Sequence, residues 1–407
     1  MNETEENIMK KFTSVLLAVA MVATMLVGCG AKEEAPAATD STAAVESTEA
    51  TDEVAFKIGG CGPTTGGAAV YGLAVQRGAQ IAVDEINAAG GINGYQIDYK
   101  FEDDECDAEK SVNAYNVLKD WGMQMLIGST TSGCSVAVSA ETANDNMFQL
   151  TPSGSSTNCT ANDNVFRVCF SDPDQGKASA NFIANNKLAT KIAVIYDSSS
   201  EYSSGIYASF AQQAAENNLE VTASAFTSDN KTDFSVQLQS AKENGAELVF
   251  LPIYYQEASA ILSQADTMGF DPLWFGCDGL DGILTGVENW DTTLAEGVML
   301  LTPFAADAKD DLTQNFVRKY VDAYKETPNQ FAADAYDAVY AIKEAAEAAN
   351  LKPDMSISDM CEAMKTSMTT ISIDGLTGEG MTWTADGEPN KGPKAVEIVD
   401  GAYVLKE

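Results

Sequence analysis

The sequence predicts an α/β protein built from two doubly wound, Rossmann-like lobes. Short apolar runs alternate with segments of helical period along most of the chain, which is the pattern of repeated βα units. This alternation occurs in two successive series, the first beginning near residue 56 and the second near residue 191. A chain of 407 residues is long enough for two domains of ordinary size. Ligands of such folds bind at the carboxyl ends of the strands, so a site between the lobes is expected.

The first βα unit carries the clearest signals. Phe56–Ile58 is predicted to be a buried strand, and residues 59–67 form a glycine-rich loop whose backbone can approach a ligand closely. The helix that follows presents apolar residues on one face and ends in the Asn- and Gly-rich stretch 87–94. Alternating apolar residues over 95–101 then predict a second strand.

The remaining elements follow in order. In the first series we expect helices at 108–120 and 134–145 and strands at 123–127, 147–150 and 165–170. In the second series we expect strands at 191–196, 219–226, 247–251, 273–275 and 297–302, with helices ending near 217, 244 and 268. Three helices at 312–325, 331–349 and 357–368 complete the prediction.

Composition excludes several classes of function. Acidic residues outnumber basic residues 60 to 24, and a formal charge of −36 repels nucleic-acid phosphates and anionic lipid headgroups. The chain has no histidine, which excludes histidine metal sites and the Ser-His-Asp and Cys-His forms of catalysis. No CxxC spacing indicates a metal site. We therefore expect no metal, no cofactor and no enzymatic activity.

The amino-terminal segment has the features of an export signal. Lys10 and Lys11 precede an apolar run over 12–27 that is too short to span a bilayer comfortably. The run ends in Leu26-Val27-Gly28-Cys29, which resembles the bacterial lipobox, and predicts a signal peptide over 1–29 with acylation of Cys29. Residues 30–54 are poor in large apolar residues and are predicted to form a flexible acidic tether. These features predict an extracytoplasmic protein held at the membrane by a lipid anchor.

Polar and aromatic residues collect in the loops at the predicted strand ends. Ser132 lies just before a helix, where free N–H groups and the helix dipole favour an anion. Asp278 lies in a glycine-flanked loop of the other lobe and is suited to pairing with an ammonium group. Taken singly, such residues are more often turn or capping residues. Together with nearby tyrosines they favour a site for a free α-amino acid.

Several longer motifs carry a family resemblance. The sequence Asp84-Glu85-Ile86-Asn87-Ala88-Ala89-Gly90-Gly91-Ile92-Asn93-Gly94 is the most specific, and 172–176 (DPDQG), 254–257 (YYQE) and 276–279 (GCDG) extend the match. From about residue 55 to the carboxyl terminus the chain resembles the leucine/isoleucine/valine-binding proteins, the solute receptors of branched-chain amino acid ABC transporters. The resemblance implies a type I periplasmic binding protein architecture with a three-crossing hinge. The first lobe would comprise residues 55–171 and 304–394, and the second residues 172–303 and 395–407.

The resemblance also implies roles for individual residues. Ser132 and Ser155 would hold the ligand carboxylate, the Ser153 carbonyl would accept from the ammonium, and Asp278 would be the acidic partner of that ammonium. The side-chain pocket would be formed by Tyr71, Tyr202, Tyr254 and Phe331. This sequence departs from the family pattern at two places. The family often has glutamate at the position of Asp278, and the loop before Tyr202 is one residue longer here.

The cysteine pattern leaves more than one pairing open. The family resemblance implies a disulfide between Cys106 and Cys134, although the second cysteine is displaced by three residues. An exported protein can form such a bridge. Cys159 and Cys169 are ten residues apart and could also pair. Cys61, Cys277 and Cys361 are expected to be buried small apolar residues.

The leading prediction is a monomeric solute-binding protein that captures an apolar amino acid between its lobes and delivers it to a membrane permease. An amide- or urea-binding member of the same family is the nearest alternative. A dinucleotide-dependent oxidoreductase is the alternative from another class, but Thr65 stands where the third glycine of the fingerprint belongs. A sensory ectodomain is a third possibility, against which stands the absence of any predicted membrane span.

Overall fold

Two β-sheets organise the protein, for which the computed structural model describes residues 54–406. The predicted signal peptide, Cys29 and all but the last residue of the predicted tether lie outside the described residues. No helix within residues 54–406 combines the length and the apolar character needed to cross a membrane.

The first sheet has five parallel strands in the order β2-β1-β3-β4-β5. Its strands are β1 (Phe56–Gly62), β2 (Ile97–Asp103), β3 (Met125–Ile127), β4 (Phe148–Thr151) and β5 (Val165–Arg167). β1, β3 and β4 are almost wholly buried, as expected for parallel strands covered by helices on both faces.

The second sheet has seven strands in the order β12-β11-β10-β9-β8-β6-β7. Its strands are β6 (Lys191–Asp197), β7 (Glu220–Phe226), β8 (Leu248–Leu251), β9 (Leu273–Gly276), β10 (Met299–Thr302), β11 (Lys394–Val399) and β12 (Ala402–Lys406). The strands from β6 to β10 pair in parallel, whereas β11 pairs antiparallel with β10 and forms a hairpin with β12.

Ten α-helices accompany these strands within the described residues. They are α1 (Ala69–Ala88), α2 (Ala108–Trp121), α3 (Ser132–Asp145), α4 (Asp172–Asn185), α5 (Glu201–Glu216), α6 (Ser235–Glu243), α7 (Tyr255–Thr267), α8 (Asp311–Tyr324), α9 (Gln330–Ala348) and α10 (Ile357–Met368). α1 and α9 pack closely, because Gly78 lets the backbone of Ala332 approach where a Cβ atom would collide with it.

The chain passes between the two sheets three times, after β5, after β10 and before β11. The first and third passages are tied together at Arg167, which is fully buried. Its guanidinium donates to the carbonyl oxygens of Gly154 and Ser156, both at 2.9 Å, and the Trp383 indole N–H donates to the Arg167 carbonyl at 2.7 Å. The predicted α/β architecture of two doubly wound lobes is therefore confirmed.

Three details differ from the sequence prediction. β1 continues through Gly62, so residues 59–62 are strand rather than loop. Glycine is used there because the side chains of Met123, Phe101 and Thr130 fill the space that a Cβ atom would need. The β11–β12 hairpin was not predicted.

The third difference concerns Ser132, which is the first residue of α3 rather than the residue before a helix. Thr131 is the residue that precedes the helix, with extended backbone angles. The Ser132 hydroxyl is thereby placed at the helix amino terminus itself.

Candidate ligand-binding site

One enclosed cavity lies where the strand ends of the two sheets meet. Its volume is about 10 Å³, room for roughly one water molecule. The structure therefore describes a closed conformation, and a larger ligand requires the lobes to separate or the lining side chains to move. The cavity is lined by Tyr71, Thr130, Thr131, Ser132, Ser153, Tyr202, Tyr254, Asp278, Gly279 and Phe331.

The structure brings together seven of the eight ligand-binding residues predicted from the sequence. Five of the seven follow a strand: Ser132 follows β3, Ser153 follows β4, Tyr202 follows β6, Tyr254 follows β8 and Asp278 follows β9. Tyr71 and Phe331 lie in the first turns of α1 and α9. The exception, Ser155, is fully buried beside the cavity and does not line it.

Hydroxyl groups and a helix terminus form the side of the site that belongs to the first sheet. Ser132 Oγ accepts hydrogen bonds from the backbone N–H groups of Ser155 at 3.2 Å and Ser156 at 3.1 Å. Ser153 Oγ donates to the Thr130 carbonyl at 2.5 Å. The amino terminus of α3 adds free N–H groups and a positive dipole end, which suit an anion such as a carboxylate.

A buried carboxylate forms the opposite side. Asp278 begins the 3₁₀ turn Asp278–Leu280 after β9, and its Oδ1 accepts from the Tyr202 hydroxyl at 2.6 Å. Its backbone N–H donates to Gln175 Oε1 at 3.1 Å. Burial is the main reason that the pKa of Asp278 rises to about 6, and the hydrogen bond from Tyr202 together with the nearby Gln175 side chain opposes the rise. Asp278 is therefore mostly ionised at neutral pH and can accept from an ammonium group.

Aromatic rings fill the space between these two sides. The Tyr71 ring lies 4.4 Å from that of Phe331 and 5.3 Å from that of Tyr254, measured between centroids, and the Tyr202 and Tyr254 rings lie 5.1 Å apart. The Tyr71 hydroxyl donates to the Gly279 carbonyl at 2.5 Å, so a residue of α1 is bonded to the turn that carries Asp278. The rings provide an apolar lining, and the Tyr71 bond joins the two lobes in the closed form.

Two polar residues beside the cavity, Asp172 and Gln175, were not predicted as site residues, and they lie next to Ser155, which was. Both carboxylate oxygens of Asp172, Gln175 Nε2 and Ser155 Oγ are buried without a hydrogen-bond partner among the described residues. Burial raises the pKa of Asp172 well above its ordinary value. Ser155 is close enough to oppose that rise, but its hydroxyl makes no hydrogen bond of normal geometry with the carboxylate.

The signal for this group was present in the sequence, because Asp172 and Gln175 follow a predicted crossing between the lobes. Residues 172–176 served above only as a motif of the family resemblance. Ser171 caps α4, since its hydroxyl accepts from the Asp174 N–H at 3.3 Å.

The predicted cysteine bridge falls next to this site. Cys106 and Cys134 are free thiols in the structure, and Cys106 Sγ donates to Thr131 Oγ1 at 3.6 Å. Contact with Cys134 lowers the pKa of the Cys106 thiol, whereas contact with Cys106, followed by burial, raises that of Cys134. Cys159 and Cys169 are also free thiols, each fully or almost fully buried. The Cys106–Cys134 disulfide stays a prediction.

Within residues 54–406 no three or more Cys, Asp or Glu side chains are grouped so that they could hold a metal ion. What the site offers is a set of anion-binding groups on one side, a carboxylate on the other and rings between them.

Comparison with known proteins shows which family the chain belongs to. A family model described as "periplasmic binding protein" matches residues 55–402. The chain is 31% identical over 305 residues to a Leu/Ile/Val-binding protein homolog of Brucella melitensis, covering 73% of this chain and 80% of the relative.

Two solved structures have the same fold and similar sequences. LivJ of Streptococcus pneumoniae, solved in complex with isoleucine, is 28% identical with a TM-score of 0.77, covering 86% of this chain and 100% of that one. The leucine-binding protein LivK of Thermotoga maritima is 25% identical with the same TM-score of 0.77, covering 86% of this chain and 98% of that one. The chain belongs to the periplasmic binding protein family.

Proposed function

We propose that the protein captures a free apolar α-amino acid, of the branched-chain type, between its two lobes and delivers it to an ABC transporter permease. As a member of this family it is a solute-binding protein and not an enzyme. The observation that carries the proposal is that anion-binding hydroxyls and a buried carboxylate face each other across one cavity lined by aromatic rings.

Each part of an amino acid has a matching part of the site. The ligand carboxylate would bind the hydroxyls of Ser132 and Ser155 and the amino terminus of α3. The ammonium would bind Asp278 and the carbonyl of Ser153, as a charge-assisted pair. An aliphatic side chain would pack against Tyr71, Tyr202, Tyr254 and Phe331. The isoleucine in LivJ and the names of the other relatives support a branched-chain ligand.

Binding would drive lobe closure because the ligand contacts both lobes. A ligand shifts a conformational equilibrium only by its difference in affinity for the two states. The hydroxyl side lies on residues 55–171 and the carboxylate on residues 172–303, which we propose as parts of the first and second lobes. A ligand bonded to both sides would therefore favour the closed form that docks on a permease.

Asp278 distinguishes the proposal from its nearest alternative. A urea or amide ligand is neutral and does not need an ionised partner, whereas an α-ammonium group gains most from a buried carboxylate. A pKa of about 6 leaves Asp278 ionised at neutral pH, which supports the amino acid.

The proposed location rests on the family and on the amino-terminal sequence. The proteins of this family are periplasmic binding proteins, which work outside the cytoplasm. We propose further that residues 1–29 are a lipoprotein signal peptide, that Cys29 is acylated, and that residues 30–54 tether a monomer to the membrane surface. Its partners would be the amino acid ligand and the permease subunits, with no contact with nucleic acid.

Removing the Asp278 carboxylate tests the ammonium assignment. We expect Asp278→Ala to weaken leucine binding at least about 30-fold, since truncating one member of a buried charge pair costs about 2–5 kcal/mol. Isothermal titration calorimetry on the wild-type and variant proteins measures the effect, with circular dichroism melting to check the fold. Asp266→Asn, which removes an exposed acid from α7, is the matched control and should bind as the wild type does. Equal leucine affinities for the wild-type protein and Asp278→Ala would refute the assignment.

The pH dependence of binding tests the same carboxylate by another route. Because the pKa of Asp278 is raised to about 6, the group is neutral below that pH and loses its attraction for the ammonium. We expect leucine affinity to fall about tenfold between pH 7 and pH 5, since one pH unit below its pKa an acid is roughly one-tenth ionised. In Asp278→Asn the affinity should be low and independent of pH over this range. A wild-type affinity that is constant from pH 7 to pH 5 would contradict the role of Asp278.

Thiol labelling tests the proposed Cys106–Cys134 bridge. The protein is purified without reductant, denatured and treated with iodoacetamide. We expect both residues to stay unmodified in this sample, and both to be alkylated when dithiothreitol is added first. Peptide mass spectrometry identifies the modified positions. Cys361, for which no partner is proposed, is the internal control and should be alkylated in both samples. Alkylation of Cys106 and Cys134 without reductant would show that the bridge does not form.

A further inference from the structure

A buried cation holds the loop that forms the anion-binding side of the ligand site. Arg167, the last residue of β5, is fully buried. Its Nη1 donates to the Gly154 carbonyl at 2.9 Å, and its Nη2 donates to the Ser156 carbonyl at 2.9 Å and to Thr160 Oγ1 at 3.0 Å. These bonds place the guanidinium against the loop that carries Ser155. The cleft cavity itself has no such group, since none of the described residues that line it is a lysine or an arginine.

The peptide group between Gly154 and Ser155 connects this cation to Ser132. In a trans peptide the C=O and N–H bonds point in opposite directions. The guanidinium of Arg167 binds the carbonyl of this peptide, and the N–H of the same peptide donates to Ser132 Oγ at 3.2 Å. The cation and the Ser132 hydroxyl therefore lie on opposite sides of one peptide group, whose dipole has its positive end toward Ser132.

The next peptide group converges on the same oxygen. The Ser156 N–H donates to Ser132 Oγ at 3.1 Å, and the carbonyl of that peptide, from Ser155, accepts from the Asp172 N–H at 2.9 Å. Two N–H groups thus occupy both lone pairs of Ser132 Oγ. The Ser132 hydroxyl can form a further hydrogen bond only by donating its proton. Because Ser132 lines the cleft cavity, an anion in that cavity is a suitable acceptor.

The charge of Arg167 strengthens each bond in this chain. A hydrogen bond to a cation polarises the carbonyl of Gly154, so the Ser155 N–H becomes a stronger donor, and the Ser132 hydroxyl in turn becomes a stronger donor. Burial keeps the effect strong, because little water is present to screen the charge. One group opposes it: Glu388 Oε1 lies 3.0 Å from Arg167 Nη2. The Glu388 side chain is 34% exposed, so solvent screens its charge more than that of the arginine.

We propose that Arg167 is the counter-charge for the ligand carboxylate, and that it acts through the Gly154–Ser155 peptide and the Ser132 hydroxyl rather than by direct contact. Arg167 is thus a positioning residue. It gives a protein of formal net charge −36 a positive group at its anion-binding site. The inference rests on the function proposed above, because it assigns a role within the same site. Its consequence is that Arg167 distinguishes an amino acid from the same molecule without a carboxylate.

Calorimetric titration with two ligands tests this role. L-leucine has the carboxylate, whereas L-leucinol keeps the ammonium and the side chain but has a neutral hydroxymethyl group instead. We expect Arg167→Lys to bind leucine at least about tenfold more weakly than the wild type does, since an ammonium group cannot hold two carbonyls as the planar guanidinium does. Arg167→Met, which also removes the charge, should bind leucine more weakly still. The affinity for leucinol should change by less than about threefold in both variants, so the leucine-to-leucinol affinity ratio should fall.

Glu388→Gln tests the charge while keeping the buried arginine. Glutamine retains an acceptor for Arg167 and Thr160 but removes the opposing negative charge. We expect leucine binding to become about two- to fivefold tighter, with leucinol binding unchanged. A purely structural role of Arg167 gives no reason for tighter binding. Glu243→Gln, which removes an exposed acid from α6, is the matched control and should bind both ligands as the wild type does.

A double variant tests the route of the effect. Because the charge acts through Ser132, adding Arg167→Lys to Ser132→Ala should weaken leucine binding by a smaller factor than adding it to the wild type. Equal factors in the two backgrounds would overturn the proposed route.

Two further results would overturn the inference. One is a leucine-to-leucinol ratio that is the same in the wild type, Arg167→Lys and Glu388→Gln. The other is an unchanged leucine affinity in Glu388→Gln, which decides the matter by itself if the arginine variants do not fold. Both results leave the proposed function intact. A folded wild-type protein that does not bind leucine would instead refute the proposed function and, with it, this role of Arg167.

Discussion

Burial of the Asp278 carboxylate between two lobes is the constraint on which the rest of the site depends. An ionised carboxylate is costly to bury unless donors surround it. In the closed form Tyr202 supplies one donor and the burial still raises the pKa of Asp278 to about 6. A ligand ammonium would provide the missing positive charge. The same group that is unfavourable in an empty closed site would thus become favourable with the proposed ligand bound, which would couple occupancy to closure.

The fold supplies the geometry that this coupling needs. Parallel strands end at one edge of each sheet, so the loops after β3, β4, β8 and β9 converge although they are far apart in sequence. α1 packs closely on α9, and the Tyr71 and Phe331 rings in their first turns contact each other. The Trp383 indole donates to the Arg167 carbonyl and so ties together two of the three passages between the sheets.

Much of the fold and of the candidate site could be predicted from the sequence because both depend on local patterns. Helical periodicity and apolar strands located nearly every element, and strand ends indicated the loops that meet in the cleft. The β11–β12 hairpin escaped prediction because its pairing with β10 is non-local, and its outer strand is largely exposed. The glycines of β1 were assigned to a loop because only the folded protein shows which side chains occupy the space beside them. Likewise, the burial of both Asp172 carboxylate oxygens without a hydrogen-bond partner among the described residues depends on packing between distant segments.

The central claim is that a single zwitterion bonds to hydroxyls from one lobe and to an acid from the other. A crystal structure of the protein with leucine tests it most directly. We predict the leucine ammonium at about 2.7–3.2 Å from an Asp278 carboxylate oxygen, and the leucine carboxylate at hydrogen-bond distance from the Ser132 or Ser155 hydroxyl. A leucine molecule that contacts only one lobe, or whose ammonium lies away from Asp278, would contradict the account.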